Sequence, residues 1–353
     1  MCKKRITTVA AFVFLAVAEL LTCSQVRAQN EHIDAFRNVG MGRGLALLHP
    51  ADHSNDLPRL VRGSSVIALY DDYAIVNDRY TLSNDSGKDI VISCGLPRTG
   101  YFTTSLIDSV KFSSFSYLSA TLNGKTVSFE EGKLADSLVV DDGCKGIKNW
   151  YISSLVLPPG TAELDVRSLV NTHDAQMING HNIEHSHGFG YMLSTLNSWN
   201  SNTDFRVYIL SKLIGNVPMQ GIYPLHGFQT TGSKYVYDFK MTDEAVPYNV
   251  VIRYGHVSMY SPDEKSNLQS ISSDAGQLTE EVSKIDPWSI NLGNYHPVFL
   301  DNFRPFPSAT FSVGGTILAF ALLFGTILFF IIRSGMGQLR QIRRENENSG
   351  REQ

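Results

Sequence analysis

Between Ser65 and Tyr254 the apolar positions fall in short, alternating runs separated by turn residues, not at helical spacing. Ser65–Tyr70 and Tyr73–Ser83 are rich in β-formers. Within Tyr73–Leu82, positions 74, 76, 80 and 82 are apolar or aromatic and 77–79 are polar, which suits a strand better than a helix. Asn84-Asp85-Ser86-Gly87 is a turn cluster, and Lys88–Cys94 reads as a strand stopped by Gly95 and Pro97. Ser119–Leu122 and Lys125–Phe129 flank Asn123-Gly124, a strong hairpin signal because both residues accept positive φ. Trp150–Leu157 and Ala162–Val170 flank Pro158-Pro159-Gly160. Asn171–Ser201 is a less regular section that breaks the pattern with Gly, Asn and His, and its histidine-rich part reads as a polar surface loop. Strands resume at Phe205–Leu210, Lys234–Lys240 and Tyr248–Tyr254.

The two ends read differently. Phe311–Ile332 is 22 residues without a charge, long enough to cross a bilayer core as one helix. Arg333, Arg340, Arg343 and Arg344 follow without an acid between them, which puts the tail, 333–353, in the cytoplasm. At the start, Lys3, Lys4 and Arg5 precede the apolar Thr8–Ala18, too short to span, and Val26-Arg27-Ala28 ends in a small residue. The expectation is a signal peptide over 1–28, cleaved before Gln29. The competing lipoprotein box, Leu20-Leu21-Thr22-Cys23, has Thr22 where a smaller residue is usual.

The predicted fold class is therefore all-β: an exported β-sandwich, one large or two consecutive, plus one C-terminal transmembrane α-helix. The expected divisions are a sandwich over 29–170 and a second β region over 171–256 that packs on or continues the first. A linker and membrane-proximal stalk, 257–310, contains a short helix near Gln277–Ile285. Within the span, Gly314, Ala321 and Gly325 fall on one face and would let a partner helix approach closely.

Outside the leader and the last 43 residues the chain carries 21 basic and 30 acidic residues, a net charge of −9. Phosphate backbones repel such a surface, so the expected partners are the membrane and an envelope protein, not nucleic acid. The exported part contains two cysteines, Cys94 and Cys144, which can form one disulfide in an oxidising compartment. Its loop of about 50 residues would contribute roughly 4 kcal/mol in the chain-entropy description.

The order DRYTLSNDSGKDIVISCGLP, an Asn-Gly hairpin, then NWYISSLVLPPGTAELDVRSLV resembles uncharacterised secreted bacterial β-sandwich proteins with a C-terminal membrane anchor. It is more distantly similar to the vault/inter-alpha-trypsin type of β domain. The resemblance covers residues 65–255 and implies the fold without naming a catalytic residue.

Candidate chemistry concentrates in His181-Asn182-Ile183-Glu184-His185, with His187 two residues on and His173-Asp174 upstream. His-x-x-Glu-His is the spacing of inverted zinc proteases, where a helix puts both imidazoles on one face. Gly180 before the motif and Gly188 and Gly190 after it argue against that helix. His181, His185 and His187 with Glu184 remain a possible transition-metal ligand set on a loop, the only cofactor the sequence suggests. Gly40-Met41-Gly42-Arg43-Gly44 lacks the context of a nucleotide fingerprint and reads as the approach to a strand at Leu45–Leu48. The leading functional expectation is a non-enzymatic interaction or structural module of the cell envelope. The alternative is a metal-binding receptor or metal-dependent hydrolase.

Overall fold

Alternation produces two sheets whose inner faces meet. The computed structural model of the protein describes residues 33–50, 57–134, 138–139, 147–173, 175–199, 202–212, 219–224, 227–242, 249–254, 271 and 273–298, with isolated helical residues between 325 and 340. The strands begin with β1 (Ala35–Arg43), β2 (Ala46–Pro50), β3 (Arg59–Leu69), β4 (Tyr73–Asn84), β5 (Ile90–Phe102), β6 (Val110–Phe112) and β7 (Tyr117–Leu122). They continue with β8 (Lys125–Val127), β9 (Glu130–Lys133), β10 (Leu138–Val139), β11 (Asn149–Leu157), β12 (Gly160–Asn171), β13 (Ala175–Asn179) and β14 (Asn182–Met192). The last are β15 (Thr203–Ser211), β16 (Met219–Tyr223), β17 (Phe228–Thr231), β18 (Lys234–Met241), β19 (Val250–Tyr254) and β20 (His296–Pro297), with one helix, α1 (Ala275–Ser283), before β20.

The first sheet runs β20-β17-β18-β15-β3-β4-β12-β7-β8, antiparallel except for the β15–β3 pair. The second runs β10-β2-β5-β6-β1-β13-β14-β19-β16, with β11 on β5 and β9 on β11. Residues from the second half of the chain enter both sheets, so His32–Pro307 is one compact unit.

Side-chain parity explains the layering. On β3, Ile67 and Leu69 join Val76, Leu82, Leu164 and Val166 in the core between the sheets, where Leu47, Leu96, Phe189 and Ile252 meet them from the second sheet. Val66 and Ala68 point the other way, with Ile75, Leu169 and Tyr208, into a layer closed by Ala275 and Val282 of α1. From Gly63 onward both faces of β3 are buried, which is why its end, Val66–Leu69, is an unbroken apolar run. A further core on the far side of the second sheet gathers Phe36, Val39, Met41, Phe102, Phe112 and Trp150.

The Asn123-Gly124 hairpin forms as expected between β7 and β8, with φ of 49° and 75° at its two residues. Two elements differ from their sequence reading, and one expected turn connects the two sheets. β5 does not stop at Gly95 and Pro97 but continues to Phe102. Pro97 faces Trp150 beside a register shift in the β5–β11 ladder, where a missing N–H is tolerated. The Pro158-Pro159-Gly160 turn joins β11 of the second sheet to β12 of the first, so it is a corner between layers. Most of Asn171–Ser201 is not a loop: β13 and β14 form a hairpin within it. Glycine disguises β14, because a Cβ at Gly188 would lie 2.6 Å from Phe36 Cζ and one at Gly190 would lie 2.6 Å from Met41 Cε.

Gly40-Met41-Gly42-Arg43 lies inside β1, followed by the short link to β2. Arg43 is fully buried; its guanidinium sits over the rings of Phe115 at 3.9 Å and Phe112 at 5.1 Å. It donates to Met41 O at 2.6 Å, to Arg98 O at 3.0 Å and to Ser113 O. Burial pushes its pKa down to about 9. The motif is a structural pin.

The segment read as linker and stalk contains α1 and a strap packed on the outer face of the first sheet. Trp288 lies between two guanidiniums, 3.9 Å from Arg62 and 4.6 Å from Arg206, and Arg206 donates to Pro287 O at 2.9 Å. The expected leader, 1–28, and most of Phe311–Ile332, including Gly314 and Ala321, lie outside the described residues. Gly325 is helical and exposed. Among the described residues no helix is long and apolar enough to cross a membrane.

Candidate metal centre

β12 leaves the first sheet at Asn171 and the chain enters the second at Ala175, and the metal-ligating side chains gather at this crossover. Thr172 organises it. Its N–H donates to Asp72 O in the β3–β4 turn at 3.0 Å, and its carbonyl accepts from Gly188 N–H of β14 at 3.0 Å. Its Oγ1 lies 2.5 Å from the Tyr254 hydroxyl, which also donates to Tyr70 O at 3.0 Å. Backbone and hydroxyl bonds thus join four segments, the β3–β4 turn, the crossover, β14 and β19.

On that frame stand Asp72, His173 and His187. One carboxylate oxygen and one ring nitrogen from each histidine lie within 4.8 Å of one another. His173 Nδ1 is 3.2 Å from Asp72 Oδ1, and these side chains are only 20% and 16% exposed. The histidine rings are tilted at 5.4 Å, and His187 stacks on Tyr254 at 5.5 Å. Burial raises the pKa of Tyr254, and the nearby Asp71 and Asp72 carboxylates add to it, so the phenol stays neutral. Ligand atoms of a tetrahedral zinc site sit ~3.4 Å apart, so these groups close on an ion through small side-chain rotations. Two imidazoles and a carboxylate suit zinc or another late divalent transition metal and leave coordination positions open.

The ligand set expected from the sequence is not assembled; only His187 belongs to this cluster. His-x-x-Glu-His runs from the hairpin turn into β14, where successive side chains point to opposite faces and the helical i, i+4 geometry is lost. His181 is exposed in the hairpin turn and His185 is exposed on β14. Glu184 is held by the buried Arg253, with Oε2 2.7 Å from Nη2. Asp72 was missed because nothing local marks it: Asp71-Asp72 between two strands reads as a turn. Only the β4–β12 register, with Tyr73 opposite Asn171, brings it beside His173.

Cys94 is a free thiol, fully buried between the sheets, with Sγ 3.7 Å from Ser153 O. Cys144, its expected disulfide partner, lies outside the described residues.

No family model matches the chain, and no curated protein matches it. Among solved structures it is similar to a candidate nutrient-binding protein from Legionella pneumophila, at 16% identity and a TM-score of 0.42, over 62% of this chain and 72% of that one. It is also similar to an M1 zinc metallopeptidase from Deinococcus radiodurans, at 10% identity and a TM-score of 0.25, over 56% of this chain and 42% of that one. Neither is of the vault/inter-alpha-trypsin type, and at TM-scores below 0.5 neither similarity bears on what this chain does.

Proposed function

We propose that the protein is an exported, membrane-anchored β-sandwich that works as a non-enzymatic binding module and holds a divalent transition metal at Asp72, His173 and His187. The observation that carries this reading is the convergence of two imidazoles and one carboxylate, drawn from the β3–β4 turn, the β12–β13 crossover and β14, within 4.8 Å. Export and anchoring rest on the leader ending at Ala28, the uncharged Phe311–Ile332 and the arginines that follow. The −9 charge of the exported part favours cations over nucleic acid. The hydrolase alternative is weaker, because the glutamate it needs beside a metal-bound water, Glu184, is paired with Arg253.

The test is elemental analysis of the untagged full-length protein in mild detergent, after dialysis against zinc, copper, nickel or iron. The expected result is about one ion per chain, lost in Asp72→Ala and His187→Ala and kept in the His181→Ala/His185→Ala double variant. Absence of stoichiometric metal, or its loss only in the double variant, overturns the assignment.

A further inference from the structure

A carboxyl group lies inside the core between the sheets, with no cation paired to it among the described residues. Asp78 is on the inward face of β4, between Val76 and Tyr80, and only 2% exposed. Its Oδ1 accepts a 2.6 Å hydrogen bond from the hydroxyl of Tyr191 on β14, in the opposite sheet. Ser65 of β3 stands directly opposite it in the register, with its buried hydroxyl making no hydrogen bond among the described residues. The other titratable groups around it are acidic. Tyr80 follows on β4, with its oxygen accepting from Leu45 N–H at 3.0 Å, and Cys94 faces in from β5. From β12, Asp165 adds a negative charge, itself held on the outer face by Arg79 at 3.4 Å and Arg167 at 2.8 Å.

We propose that Asp78, joined to Tyr191 across the two sheets and enclosed between them, makes the sandwich pH-sensitive: most stable while the buried carboxyl is protonated and less stable once it ionises. This goes beyond metal binding and does not depend on it, although β4 and β14 are the strands adjoining Asp72 and carrying His187. A neutral carboxyl is buried there at little electrostatic cost. A carboxylate would have the Tyr191 hydroxyl as its donor, in a site closed to water. Burial accordingly raises the carboxyl pKa to about 7, against the opposing pull of the Tyr191 hydrogen bond.

The sign follows. The unfolded carboxyl titrates near 3.9, so from about pH 4 to about pH 7 the folded chain holds a proton that the unfolded chain has released. Stability is therefore greatest in acid with respect to this group, falls as pH rises through that window and levels off above about 7. This use rests on the export proposed above: an exported domain meets such changes of pH directly, and the buried carboxyl makes its sandwich more stable in acid.

The experiment is urea unfolding of the full-length protein in mild detergent between pH 4 and 9, with a chelator present so that metal makes no contribution. Asp78→Asn keeps the shape and abolishes the titration. It should remove the part of the fall between pH 4 and 7 that the wild type shows. Tyr191→Phe deletes a donor that favours the carboxylate, so it should move the levelling-off to higher pH. An Asp78→Asn profile with the wild-type slope overturns the proposal. Should that variant not fold, a Tyr191→Phe profile superimposable on the wild type overturns it equally.

Discussion

Glu184 on β14 and Arg253 on the adjacent strand β19 form an ion pair, with Glu184 Oε2 2.7 Å from Arg253 Nη2. The arginine side chain is wholly buried and the glutamate 22% exposed. Burial lowers the Arg253 pKa while the Glu184 carboxylate holds it up. The acid at the centre of the His-x-x-Glu-His motif is thus a counter-ion for a buried cation.

That pairing predicts a dissociation of effects. Glu184→Ala strands a buried guanidinium and should cost about 3 kcal/mol of unfolding free energy by urea titration. Metal content should be unchanged, since Glu184 is outside the Asp72–His173–His187 cluster. A variant of unchanged stability that no longer binds metal would restore Glu184 to the site.

The same pair shows what the chain discloses about itself and what it withholds. Local information sufficed where one strand and its neighbour settle the outcome: the alternation of β4, the Asn123-Gly124 hairpin and the short helix α1 were all legible. β14 was not, because its glycines answer to Phe36 and Met41, about 150 residues away in the sequence, and not to their own neighbours. The metal cluster was half legible. Histidines signalled chemistry, but which of them converge is decided by the β4–β12 and β14–β19 registers. Asp72 carries no signal except through that pairing.

The C-terminal strap should be separable from the sandwich. Trp288 is held by two guanidiniums, and Asp286 accepts from its backbone N–H at 3.0 Å. Arg206 is fixed in turn by a bidentate contact with Asp238, 2.6 Å at each oxygen. Trp288→Ala removes both cation–π contacts and should cost about 1–2 kcal/mol. Hydrogen exchange should quicken in α1 and at the β17–β20 pairing while β4 and β12 keep their protection. Uniform acceleration across both sheets would mean that the strap is part of the cooperative core.

Cys94 offers the last prediction, and it bears on the expected bridge to Cys144. Its thiol lies on the inner face of β5 opposite Leu47 and Ser153, and burial raises its pKa far above that of a free cysteine. The thiolate is the reactive form, so both burial and protonation protect it. In the native protein, iodoacetamide should therefore leave Cys94 unmodified over times in which a surface thiol reacts completely. In denaturant without reductant, peptide mapping should find Cys94 fully carbamidomethylated. A Cys94–Cys144 disulfide would instead leave both cysteines unlabelled until reductant is added. Complete protection of Cys94 in unreduced denaturant thus decides for the bridge, and labelling decides for the free thiol that packs against Ser153.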